Sequence, residues 1–118
     1  MSRILVVDGD PGIIELLREN LPEFFPSDIC FFAADGKEVL EHFTRKGACL
    51  FDLLVTGIEM PFVDGMALTS AVKDVYPNLP VIIMSGSPEQ EGHRADAFIA
   101  KPFDIKELVR IIRQLLTK

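Results

Sequence analysis

Apolar and polar positions along the chain alternate between two rhythms. Ile4-Leu5-Val6-Val7 is a short unbroken apolar run, the pattern of a strand buried on both faces. Ile13, Leu16, Leu17 and Leu21 then recur at helical spacing, behind Asp10 as a cap and Pro11 as a suitable first helical residue. Pro22 and Pro26 bracket the predicted end of that helix and the loop after it. Ile29–Ala33 reads as a second strand. Asp35-Gly36-Lys37-Glu38 has the form of a capping box opening a short helix, with Val39, Leu40 and Phe43 inward and Gly47 beyond its end. Leu53–Val55 is a third strand. Asp64-Gly65 opens a third helix with Leu68, Ala71, Val72 and Val75 on one face and Pro77 behind it. Val81–Met84 is a fourth strand and Phe98–Ala100 a weaker fifth. Asp104 and Glu107 form another capping box, for a last helix whose inner face is Ile105, Leu108, Val109, Ile112 and Leu116.

Strand and helix thus alternate nearly five times. Short βα units with apolar strands imply a parallel sheet covered by helices on both faces. With five strands, the predicted architecture is a flavodoxin-like doubly wound α/β fold of strand order 2-1-3-4-5, one domain over residues 1–118. The interval between Ser85 and Lys101 is short. It holds 15 residues, and Pro88–Asp96 has a glycine in its middle and almost no apolar face. One or two helical turns fit there at most, so the fourth helix is expected to be shortened or replaced by an irregular loop.

Composition narrows the picture. Apolar residues make up 48% and charged residues 25%, ordinary for a soluble globular domain, and no apolar run nears the ~18 residues of a membrane span. Met1-Ser2-Arg3 runs straight into the first strand and carries no signal-peptide pattern. Cys30 and Cys49 lie in different segments without metal or redox spacing, which suits core cysteines in a reducing cytoplasm. A net charge of −6 with no Lys/Arg cluster argues against unaided binding to nucleic acid or an anionic membrane.

In such a sheet, ligands meet the carboxyl ends of the strands where the order reverses, between strands one and three. Asp8, Gly9 and Asp10 fall there, as do Thr56, Gly57, Ile58 and Glu59. Ser85-Gly86 follows strand four and Lys101-Pro102 follows strand five. The strings Ile4-Leu5-Val6-Val7-Asp8, Met60-Pro61 with Asp64-Gly65, and Lys101-Pro102-Phe103 resemble those of bacterial response-regulator receiver domains, over essentially the whole chain. The resemblance implies a two-component signalling domain, not an enzyme. In that family two adjacent acids after strand one hold Mg²⁺, and an aspartate ending strand three takes a phosphoryl group from a histidine kinase. A Ser/Thr and a lysine before proline contact the phosphate. The chemistry explains this set: a carboxylate attacking a phosphorylated donor faces like-charge repulsion, which a hard cation and an ammonium neutralise.

This chain departs from the pattern at two places. Counting back from Met60-Pro61, the phosphoacceptor position is Gly57. Counting on from Val7, the second metal acid is Gly9. Asp8, Ser85 and Lys101 remain, Pro102 follows the lysine, and Phe98 stands where the family often has a switching aromatic. Glycine offers no atom to phosphorus or metal, so the phosphorelay reaction is expected to be absent. Among substitutes, Asp52 begins strand three and sits at its wrong end, and Asp10 is read as a helix cap. Glu59 with Asp8 is the weak candidate for a cation, with no resident cofactor expected. Thr56 points away from Gly57 into the core. Lys101 is expected to pair with Asp8; the alternative is a solvated lysine over an empty cleft. His42 and His93 lack a second ligand and read as surface histidines. A Ser85–Lys101 nucleophile pair lacks an oxyanion hole, and the acidic Asp8-Gly9-Asp10 turn would repel a flavin phosphate.

The resulting expectation is a degenerate receiver that binds proteins (a kinase, an output domain or another regulator, or a second copy as a homodimer). The expected surface is that of strands four and five with the last helix, and Phe62, Val63 and Phe103 are candidate exposed apolar residues. The alternatives are a divalent-cation or small-anion sensor using Asp8, Asp10, Glu59, Ser85 and Lys101, and a phosphoaccepting receiver altered at Gly9 and Gly57.

Overall fold

The structure, a computed structural model, describes residues 1–45, 50–89 and 91–117. Gly47 and Cys49 lie outside the described residues. Five parallel strands, β1 (Arg3–Val7), β2 (Ile29–Ala33), β3 (Leu53–Gly57), β4 (Val81–Ser85) and β5 (Ala97–Ala100), form one sheet in the order β2-β1-β3-β4-β5. Helices α1 (Pro11–Phe24), α2 (Gly36–Arg45), α3 (Gly65–Val75) and α4 (Ile105–Leu116) complete the flavodoxin-like fold that the sequence predicts. Pairing runs in unbroken register, with Ile4 beside both Cys30 and Leu53, and Gly57 beside Met84. No described helix is long and apolar enough to cross a membrane.

Two cores flank the sheet because successive strand side chains point to opposite faces. Ile4, Val6, Leu53, Val55, Ile82 and Met84 face α1 and α4, where Leu17, Leu21, Leu108 and Ile112 meet them. Leu5, Val7, Leu54 and Val81 face α2 and α3, against Val39, Phe43, Leu68 and Val72. The central strands are buried on both sides, as their continuous apolar runs require.

Three helix details differ from the sequence reading. The inner face of α1 is Ile14, Leu17 and Leu21, while Leu16 is 44% exposed, so the apolar stripe is rotated by about one position. That helix also runs through Pro22 to Phe24. The proline falls in the last turn, where its missing N–H costs one bond, and burial of Leu21 and Phe25 around it offsets the loss. On α3, Val75 is exposed and Lys73 is buried in its place. Asp10, Asp35, Asp64 and Asp104 all cap helices, their carboxylates accepting from Gly12, Lys37, Ala67 and Lys106 N–H.

The crossover from β4 to β5 carries no helix among its described residues. Side chains anchor it instead. Arg94 donates to the Ser70 carbonyl and meets Asp74 at 2.6 Å, both on α3. Asp96 accepts from the Val81 N–H and pairs with Lys73 at 2.7 Å. Cys30 is a half-buried free thiol whose pKa is pushed up by burial and, secondarily, by nearby Asp28.

Candidate functional site

The carboxyl ends of β1, β3 and β4, with the turn after β5, enclose a cleft of about 240 Å³ lined by Asp8, Asp10, Ile58, Glu59, Ser85 and Lys101. The topology that reverses between β1 and β3 puts it there. The residues expected at the cleft, Asp8, Asp10, Glu59, Ser85 and Lys101, all line it, and Asp52 lies away from it as its place at the start of β3 requires. Asp52 accepts from Arg3 N–H at the opposite end of β3, far from the chemistry.

Asp8 is the centre of the cleft. Its side chain is 2% exposed, Oδ1 accepts from Asp10 N–H at 2.9 Å, and Oδ2 lies 2.8 Å from Lys101 Nζ. The expected Asp8–Lys101 ion pair is therefore present. The ammonium meets Oδ2 as an ion contact outside directed hydrogen-bond geometry, so this oxygen has a charge beside it and no aligned donor among the described residues. Lys101 keeps 21% of its side chain in contact with solvent. Its N–H donates to the Ser85 carbonyl, and the Lys101–Pro102 peptide is cis.

Gly57 explains where Asp8 goes. A Cβ on Gly57 would lie 2.6 Å from Asp8 Oδ2 and 2.7 Å from its carboxyl carbon. The Asp8 carboxylate thus fills space that any larger residue at 57 would claim. Gly9 is tight for a different reason: its Cβ would meet the Glu59 carbonyl oxygen at 2.8 Å and Met60 Cα at 3.1 Å. Backbone presses there, so a side chain at Gly9 requires the loop after β3 to move. Gly65 lets the first turn of α3 lean on the Gly57 carbonyl, where a Cβ would overlap that oxygen.

The other members play quieter parts. Ser85 is buried, and its Oγ accepts from Ser87 N–H at 3.0 Å. Glu59 is exposed at the mouth and accepts from Ser87 Oγ at 3.4 Å. Thr56 faces the core, as expected, and donates to the Gly57 carbonyl. Phe98 is half-buried and stacks on His93, ring centroids 6.2 Å apart. His93 is accordingly not a plain surface residue: its side chain is 14% exposed, and Nε2 meets Glu89 at 2.7 Å. His42 is exposed on α2 and packs edge-on to Phe43. Val63 and Phe103, expected on the surface, are half-buried against the two cores because their loops fold back onto them. Phe62 is 80% exposed.

This donor set does not suit a hard divalent cation. Among the described residues no three His, Cys, Asp or Glu side chains gather. Asp8 is the one buried acid of the cleft, and its open oxygen already faces an ammonium. Mg²⁺ holds six oxygens in an octahedron, one or two of them from carboxylates and the rest from water, and here it would have to displace Lys101 to reach Oδ2 of Asp8.

The family model of the response regulator receiver domain matches residues 4–113, so the chain belongs to the receiver-domain family of two-component signalling. It is 34% identical to the DNA-binding transcriptional regulator NtrC of Escherichia coli (strain K12), covering 97% of this chain and 24% of that protein. It is 31% identical to the response regulator MprA of Mycobacterium leprae, covering 98% of this chain and 51% of that one. The chain therefore spans about a quarter of the NtrC relatives and half of MprA. Among solved structures it is similar to the response regulator TrrA of Thermotoga maritima in complex with Mg²⁺-BeF, at 29% identity. That match has a TM-score of 0.83 and covers 98% of this chain and 99% of that one. Receiver domains are in general signalling modules that interact with kinases and output domains.

Proposed function

We propose that this receiver does not accept a phosphoryl group at the usual position and acts instead through protein contact. The observation that carries the reading is the pairing of Gly57 with Asp8. Residue 57 supplies no nucleophile, and the carboxylate of Asp8 stands where its side chain would be, held by Lys101 at 2.8 Å. A phosphoryl transfer needs a free carboxylate in line with the donor and positive charge on the transferring oxygens. Here the remaining carboxylate and the remaining ammonium neutralise each other.

In this reading the ion pair is a fixed version of a contact that other receivers make conditionally. The partner is a protein: a kinase, an output domain or another regulator, consistent with relatives that are named as regulators and are longer than this chain. The face of β4, β5 and α4 is the docking surface, reshaped by a crossover that carries no helix among its described residues. No cofactor is required.

Intact-protein mass spectrometry after incubation with acetyl phosphate and Mg²⁺ tests the reading. The expected mass is unchanged. A stable gain of one phosphoryl group that hydroxylamine removes would mean that an acyl phosphate forms, on Asp8 or elsewhere, and the reading fails.

A further inference from the structure

We propose that the outer edge of β2 is a pairing surface for a second copy of this chain, joining two sheets across a two-fold axis centred on Phe31. The inference is independent of how the cleft works.

The strand Ile29-Cys30-Phe31-Phe32-Ala33 lies at the edge of the sheet and contains no charge, no proline and no polar side chain. Its pairing with β1 is in continuous register from Arg3↔Ile29 to Val7↔Ala33, so no bulge twists the edge away. Edge strands are ordinarily protected by lysine, proline or bulges against pairing with another chain. β2 has none of these. The opposite edge, β5, is shorter and is bracketed by Asp96 and Lys101.

Hydrogen-bond direction specifies which groups are open. Ile29 N–H donates to Ser2, and the Ala33 carbonyl accepts from Asp8 N–H, so odd-numbered residues of β2 point their backbone groups at β1. In a parallel ladder the alternate residues, Cys30 and Phe32, then direct N–H and C=O outward. Neither has a backbone partner on that side among the described residues. Antiparallel pairing about Phe31 places Cys30 of one copy opposite Phe32 of the other, and a directly opposed pair can exchange both bonds. Two such pairs give four bonds.

Side chains and charge fit the same register. Phe31 is 39% exposed, its ring edge-on to Phe51, and it would lie beside its own copy at the axis, in the closer type of opposed pair. Ile29, also exposed, would cover the neighbouring Ala33. In this register no acid is directly opposed to another: Asp28 falls opposite Ala34 and Asp35 opposite Ser27, one position apart and on opposite faces of the joined sheet. That matters for two copies of a domain of net charge −6. The contact is isologous and closes, giving a dimer and not a fibre.

Light scattering with size-exclusion chromatography, run from micromolar to millimolar protein, tests the proposal together with hydrogen exchange. The mass is expected to double with concentration, while the Cys30 and Phe32 amides slow and those of β5 do not. Phe31→Lys should return the monomer with circular dichroism unchanged. Phe31→Cys, in a chain carrying C30S and C49S, should form a disulfide-linked dimer under oxidised glutathione. A monomer at millimolar concentration with fast Cys30 and Phe32 exchange overturns the proposal. So does a dimer that survives Phe31→Lys in a folded protein, because association then uses another face.

Discussion

Two lysine–aspartate pairs stand at opposite ends of this sheet, and they are not alike. Lys73, at the amino ends of the strands, donates to the Leu79 carbonyl at 2.7 Å, to the Pro77 carbonyl and to Asp96, whose Oδ2 also accepts from Val81 N–H. Every group in that knot has a directed partner. Lys101, at the carboxyl ends, meets one oxygen of Asp8 without aligned hydrogen-bond geometry, in a cleft with room for water. A satisfied buried polar network fixes structure, whereas an under-determined one marks a place whose geometry answers to something besides stability. The Lys73 pair is structural. It ties the crossover between β4 and β5, which has no helix among its described residues, to α3. In the proposed reading, the Lys101 pair is what remains of a phosphate-handling cleft.

Mutations should separate the two pairs. Lys73→Met strands three acceptors, two of them backbone carbonyls, and should cost about 3 kcal/mol in urea unfolding, the lower end for breaking a buried pair because Asp96 still reaches water. Gly57→Asp comes next. It forces a second carboxylate against Asp8 and should cost about 2 kcal/mol, with Asp8 displaced. Lys101→Met should cost only about 1 kcal/mol, since water can enter the cleft and solvate Asp8. If Lys101→Met matched Lys73→Met, the distinction between the two pairs would collapse.

The smallest predicted effect has the opposite sign. Phe62 has φ 69° in a turn closed by Val63 N–H donating to the Pro61 carbonyl, the rarer and strained γ-turn form. Its ring is mostly in water, with the Lys37 ammonium 5.6 Å from its centroid. The left-handed conformation costs a non-glycine residue about 1–2 kcal/mol, and a glycine there adds about 0.5–1 kcal/mol of unfolded-state entropy. Phe62→Gly should therefore stabilise the protein by about 0.5 kcal/mol, read as a small rise in the urea midpoint at constant m.

Much of this architecture is legible in the chain. Unbroken apolar runs identify the central strands, because strands buried on both faces need no alternation, and Asp10, Asp64 and Asp104 announce three helix starts by their capping chemistry. The glycines at 57 and 9 are legible as letters. Their consequence, Asp8 moving into the space beside Gly57 and the β3–α3 loop closing on Gly9, needs coordinates, since it depends on contacts between segments some fifty residues apart. Leu16 falls on the wrong face in the sequence reading because Ile13, Ile14, Leu16 and Leu17 offer two overlapping stripes, and only the sheet selects one. Lys73 escapes it because a lysine is ordinarily a surface residue, and nothing local tells that two loop carbonyls and Asp96 wait for its ammonium. The γ-turn at Phe62 is equally hidden, since glycine or asparagine is the usual signal for a positive φ.

If the Asp8–Lys101 pair holds the cleft in one state, that cleft is deaf to phosphoryl chemistry. Amide NMR spectra of the labelled protein, alone, with excess Mg²⁺ and then with beryllofluoride, test this most directly. Resonances of Asp8, Ser85, Lys101 and β5 are expected to keep their positions in all three. A saturating shift that begins at Asp8 and spreads to Phe98 would contradict it, because the cleft would then still bind a phosphoryl mimic and transmit the event.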